Sequence, residues 1–198
     1  MQAFLSPSSI IDFTHPQVAA RAAQLRVSSA CGNFSAVATA RACFEFVRDH
    51  IPHSNDIRSD AVTLKASEAL AQGTGWCFAK SHLLAALLRA NGLPAALCYQ
   101  RLQKDEKGAY TLHGFNAVYL PEHGWYRCDA RGNKNGVDAQ FTPPVEQLAF
   151  NITEPGERDF PGLYAEPLPD VVTCLTQCRS REQVYVNLPD ATSLDAAV

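Results

Sequence analysis

The chain has 198 residues, 46% hydrophobic and 19% charged, a balance that supports a substantial folded core and excludes a disordered polypeptide. A formal net charge of −3, with no Lys/Arg cluster, argues against a nucleic-acid binder. The apolar stretches fall far short of a membrane span, and "MQAFLSPSSIIDFTHP" lacks the basic-then-apolar pattern of a signal peptide, so the expected address is the cytoplasm. Seven cysteines, odd in number and scattered from Cys31 to Cys178, fit free thiols in a reducing compartment rather than a disulfide framework.

In chain order, "PQVAARAAQLRV" (16–27) predicts a first helix with Pro16 in its opening turn. "SAVATARACFEFVRDH" (35–50) predicts a second, N-capped by Ser35 and stopped before Pro52. Val37, Ala40, Phe44 and Val47 recur at helical spacing, which places Cys43 among core residues. An irregular segment follows, with a short helix near 66–71 and the glycines Gly73 and Gly75. The clearest element starts near Trp76: "CFAKSHLLAALLRANGLP" sets four leucines on one stripe and stops at Asn91-Gly92 before Pro94. Strands are expected at 95–102, 110–120 and 124–130, with "KDEKG" and "PEHG" as turns between them. Connections this short require an antiparallel meander. A helix at 169–182 and the apolar run "VYVNL" close the chain. The class is therefore α+β. A single domain over 1–198 is expected, with its core at about 35–140, a helical addition at 1–34 and an extension at 141–198.

Cys77 opens the apolar helix, where unpaired N–H groups and the helix dipole favour thiolate over thiol. Gly73 and Gly75 just before it allow a tight turn and would leave the backbone open to a substrate. Of the six histidines, His15, His50 and His53 lie at helix edges or in loops and are expected to be solvated. His82 sits five residues along the same helix, a poor angle for reaching back to Cys77, and His123 falls in the "PEHG" turn. His113 differs because it lies within a largely apolar strand, sharing a face with Phe115, Ala117 and Tyr119. A buried imidazole needs a partner, and Asp129, at the end of the next strand, can supply one. Cysteine, histidine and aspartate in these settings suit a nucleophile, a base and a residue orienting the base. On spacing alone, a purely structural His–Asp pair remains equally open.

"GTGWCFAKSHLLAALLRANGLPA" resembles the cysteine motif of the transglutaminase-like superfamily, in which Gly-x-Gly-x-Cys precedes an apolar helix and Arg-Ala-x-Gly-Leu-Pro-Ala. "HGFNAVYLPEHGWYRCDARGN" is similar to the second and third motifs of that superfamily, a histidine and then, past a strand and Gly-Trp, an aspartate. The resemblance spans about residues 65–132. It implies a papain-like fold with the nucleophile helix packed on an antiparallel sheet, and assigns Cys77 as nucleophile, His113 as acid and base, and Asp129 as the residue orienting His113. Where the family often shows Ala-Trp and an acidic residue after the histidine, this chain has Gly114-Phe115-Asn116, positions expected to shape the cleft.

The implied reaction is acyl transfer through a thioester. The Cys77 backbone N–H would hold the oxyanion, with Gln72 or the Trp76 indole as second donor. The expected substrate is a peptide or protein, with no nucleic acid and no membrane involved. Water as acceptor gives a cysteine peptidase or glutamine deamidase and is the preferred reading. A lysine amine would give a crosslinking transglutaminase, and a non-catalytic binding module keeping the fold is the remaining alternative. No cofactor or metal is implied. No acidic loop resembles a calcium site, and Cys174 and Cys178 lack the further pair that a zinc site needs. The oligomeric state has no signature in the sequence.

Overall fold

The helix that begins at Cys77 is buried on every side from Cys77 to Arg89, and the other elements are arranged around it. In the computed structural model, which describes residues 1–28, 31–106 and 108–194, a 3-10 turn at Gln2–Leu5 precedes α1 (Pro16–Leu25), α2 (Ala36–His50), α3 (Ala66–Gln72) and α4 (Cys77–Ala90). Strands β1 (Ala95–Gln103), β2 (Tyr110–Leu120) and β3 (Gly124–Cys128) follow, then β4 (Gln140–Thr142), β5 (Val145–Gln147), β6 (Arg158–Asp159), α5 (Pro169–Gln177) and α6 (Arg181–Val186). Part of the expected "KDEKG" turn, and the last four residues of the expected C-terminal extension, lie outside the described residues.

Local chemistry sets several boundaries. The Ser35 side chain accepts the Ala38 N–H and starts α2. Pro16 begins α1 and Pro169 begins α5, where a missing N–H costs nothing. α4 ends where the Gly92 and Leu93 N–H groups turn back to the Arg89 and Leu88 carbonyls. The expected helix at 169–182 is instead two: the chain turns extended at Cys178, and a new helix starts with the Ser180 side chain accepting the Gln183 N–H. That serine offers the backbone an alternative to continuing the first helix. "VYVNL" finishes α6 and does not form a strand.

The sheet runs β3-β2-β1-β6, all antiparallel, and β4 and β5 form a separate small hairpin. The main hydrophobic core collects Val18 of α1, Phe44 of α2, the leucines of α4, Leu97 of β1, Val171 and Leu175 of α5, and Val184 of α6. A smaller cluster of Ala96, Cys98, Phe115 and Ala117 lies apart from it, covered by Phe4, Trp125 and Leu148.

Alternation along β2 explains the departure at Gly114-Phe115-Asn116. Gly114 faces α4, and a Cβ there would stand 2.7 Å from Cδ1 of Phe78. Asn116 also points at α4, donating to the Ser81 carbonyl at 2.9 Å. Gly114 and Asn116 therefore set how closely the sheet packs on the helix, and none of the three residues lines the cleft as expected. Gly114→Ala should force Phe78 aside and lower the unfolding free energy by about 1–3 kcal/mol, measured by denaturant titration. Because Phe78 adjoins Cys77, alkylation of Cys77 should change as well.

Candidate active site

Cys77 is the first residue of α4, and the first helical hydrogen bond, from the Lys80 N–H to the Trp76 carbonyl at 2.9 Å, leaves the earlier N–H groups without an intrahelical acceptor. His113 enters from β2. Its Nε2 stands 2.7 Å from Oδ2 of Asp129, one residue beyond β3, and both side chains are buried. Cys77 and His113 line the same cleft, and the thiol is among the groups that act on the imidazole.

The carboxylate is fixed independently of the histidine. Its Oδ1 accepts the Arg131 N–H at 3.0 Å, and Oδ2 also accepts the Ala149 N–H at 3.2 Å. The imidazole is fixed by rings, since Phe115 stacks on it at 6.1 Å and Phe150 meets it edge-on at 5.0 Å. Burial by itself would lower the His113 pKa, but the charge and hydrogen bond of Asp129, together with Cys77, overturn this and raise it to about 10. Burial pushes the Cys43 and Cys98 thiols up to about 12.

These groups open on a cleft of about 460 Å³ lined by His53, Trp76, Cys77, Leu112, His113 and Phe150, with Tyr185 and Leu188 from the C-terminal segment. Trp76 therefore lies where the sequence places it. Its indole Nε1 is buried and has no hydrogen-bond partner among the described residues. Two expected cleft residues do not line it. Gln72 is exposed at the end of α3 on a different pocket, turned away by the αL glycine that ends that helix. Phe115 backs the His113 ring from within the smaller core cluster.

The glycine expected to give a substrate room also has another use. Gly75 is buried, bonded to Pro52 and Ser54, and a Cβ there would lie 3.1 Å from Cβ of Ala79 and 3.2 Å from Oγ1 of Thr63. Its missing Cβ lets the turn close against Ala79 and Thr63, while its backbone pairs with the 52–54 segment. That packing corrects the reading of His53 as solvated. His53 is bridged in parallel to Gly75, is buried, and meets the Trp76 ring at 5.3 Å. Its Nδ1 accepts the Asn55 N–H at 3.3 Å, which puts the ring proton on Nε2. Burial and then the nearby Arg131 guanidinium push its pKa well below the usual histidine value. Arg131 is itself paired with Asp56, Nη2 to Oδ1 at 2.9 Å. No local pattern in "IPHS" announces His53, because a long-range contact places it. His15, His50 and His123 are exposed, and His82 is buried away from the cleft, bonded through Nδ1 to the Leu64 carbonyl at 2.8 Å.

Comparison with known families bears on the same residues. The family model described as the transglutaminase-like superfamily matches residues 23–130, over half of the chain, from within α1 to just past Asp129. The chain belongs to this superfamily. Among solved structures it is similar to a candidate cysteine protease from Cytophaga hutchinsonii, at 20% identity and a TM-score of 0.50, over 65% of this chain and 40% of that one. It is also similar to the periplasmic domain of TgpA from Pseudomonas aeruginosa bound to ethylmercury, at 20% identity and a TM-score of 0.47, over 65% of this chain and 47% of that one. The chain thus spans under half the length of these structures. No curated protein matches it. The Cytophaga likeness shows the fold, an α+β papain-like core of the transglutaminase-like kind. No helix among the described residues is long and apolar enough to cross a membrane.

The His113–Asp129 pair makes stability depend on pH. A histidine with a folded pKa near 10, against about 6.5 unfolded, contributes stability that is complete below pH 6.5 and lost as pH rises towards 10. The parent should therefore exceed Asp129→Asn in unfolding free energy most at pH 6. That gap should shrink by on the order of a few kcal/mol by pH 10, read from paired denaturant titrations.

Proposed function

We propose that the protein is a thiol-dependent hydrolase of amide bonds in peptides or proteins, with Cys77 as nucleophile, His113 as acid and base, and Asp129 holding the imidazole. The single observation that carries this reading is one cleft lined by both Cys77, at a helix N-terminus, and His113, whose buried imidazole meets the buried Asp129 carboxylate at 2.7 Å. The seven free thiols suit a reducing compartment such as the cytoplasm.

Each group has a defined task. Cys77, having passed its proton to His113, attacks the carbonyl carbon, and a C–S bond forms as the carbonyl becomes an oxyanion. The Cys77 N–H faces that charge, and the Trp76 indole N–H is the buried donor beside it without a partner. The intermediate collapses, the C–N bond breaks, and His113 gives its proton to the leaving amine. Water then enters from the cleft, yields a proton to His113 and displaces the thiol, releasing the acid. Asp129 holds the Nε2 side of the ring and keeps it turned so that the same opposite nitrogen serves both steps.

Glutamine-containing peptides supplied together with a labelled primary amine test this reading. Acid product and released ammonia or amine are expected, with little amine incorporated. Cys77→Ala should lower kcat by about 10⁴-fold or more, and Asp129→Asn by about 10²–10⁴-fold. Efficient incorporation without hydrolysis would replace water by an amine as the acceptor. The absence of any Cys77-dependent turnover, with Cys77 alkylated no faster than Cys43, would make the protein a binding module.

A further inference from the structure

One stretch of sheet edge beside His113 has a built set of polar groups that the acyl-transfer chemistry does not use. β3 pairs with β2 only between Asn116 and Leu120, so it leaves the first half of β2 uncovered on that side. The C-terminal segment lies there instead. The Leu112 N–H donates to the Pro189 carbonyl at 2.7 Å, and the Thr111 hydroxyl donates to the same oxygen at 3.3 Å. One residue further, Arg101 grips the Asp190 carboxylate with two parallel bonds, Nε to Oδ1 and Nη2 to Oδ2, each 2.7 Å. The guanidinium is held in position independently, because Nη1 donates to the Gly156 carbonyl at 2.8 Å and the group lies 3.8 Å over the Tyr110 ring. On the other side of Pro189, Leu188 and Tyr185 line the cleft that holds Cys77.

We propose that this edge is the docking strip for the acyl donor, that it takes an extended peptide with an acidic side chain, and that residues 188–190 occupy it as a stand-in for that peptide. The inference rests on the acyl-transfer reading above and names its substrate class. A main-chain N–H beside the catalytic histidine binds any extended chain through a backbone carbonyl, which gives affinity without sequence preference. Selectivity comes from Arg101, whose planar fork matches a carboxylate and not an amide or an ammonium group. The stretch Leu188-Pro189-Asp190 satisfies both requirements, placing a carbonyl on Leu112 and a carboxylate on Arg101. A substrate must displace it, so the segment also limits entry to the cleft.

The test uses the full-length protein and a fluorescein-labelled peptide copying residues 184–192, VYVNLPDAT, with binding read by anisotropy. Full-length Asp190→Asn should bind this peptide about five-fold more tightly than the parent, because its own segment competes less. The peptide carrying Asn in place of its Asp should bind about five-fold more weakly, and Arg101→Gln should abolish the difference between the two peptides. In turnover, Asp190→Asn should raise kcat/KM for an acidic peptide acyl donor while leaving a small thioester substrate unchanged. Peptide binding indifferent to the acidic residue, or equal in the parent and Asp190→Asn, would overturn the proposal. Anisotropy needs no turnover, so the two readings fail separately: selective binding without Cys77-dependent turnover removes the enzyme, and turnover without selective binding removes the docking strip.

Discussion

Complete burial of α4 is the constraint on which the rest of the structure depends. A helix covered on all sides must find partners for its polar side chains inside the protein, and α4 carries Lys80, Ser81, His82 and Arg89. Three of them reach backbone carbonyls of surrounding segments. Lys80 donates to the last carbonyls of α2, with Nζ 2.7 Å from Val47 O and also bonded to Ile51 O. His82 bonds to Leu64 ahead of α3. Arg89 serves Ser6 near the N-terminus, Ala95 at the start of β1 and Ala165 before α5. Just past the helix, Asn91 adds the Ala22 carbonyl of α1. The helix thus fixes the positions of segments far apart in sequence, and with them the walls of the cleft at its N-terminus.

That arrangement explains how Cys77, His113 and Asp129 come to be held near one cleft. Cys77 is held by the helix, His113 by a strand that Gly114 allows to pack tightly on Phe78, and Asp129 by two backbone N–H groups. Cys77 and His113 sit on regular elements, and Asp129 lies one residue past β3. The geometry that the proposed acyl transfer needs would then be set before any substrate arrives.

The sequence carries its clearest messages where structure is local. α2 and α4 were legible because caps, stop signals and apolar spacing coincide, and β1 to β3 because short turns leave only a meander. Cys77, His113 and Asp129 were legible because each sits at a recognisable point of such an element. What escaped is what long-range contacts decide. His53 is drawn in by its bridge to Gly75, and the Ala149 N–H and the Phe150 ring arrive from a loop with no periodic pattern. The capping serine that divides α5 from α6 competes with continued helix too locally for an apolar pattern to reveal. Gln72 looked promising only by its distance along the chain from Cys77, and the turn at Gly73 sends it elsewhere.

The ammonium group buried under α2 has a consequence for proton uptake. Burial lowers the Lys80 pKa to about 7, so between pH 7 and 10.5 the unfolded chain holds a proton there that the folded chain has released, and folding gains as pH rises. His113 acts in the opposite sense over nearly the same interval, holding a proton when folded that the unfolded chain has lost. The two linkages oppose one another, one proton given up and one taken on, across the mildly alkaline range. The buried ammonium thus offsets part of the pH dependence that the His113–Asp129 pair imposes on stability.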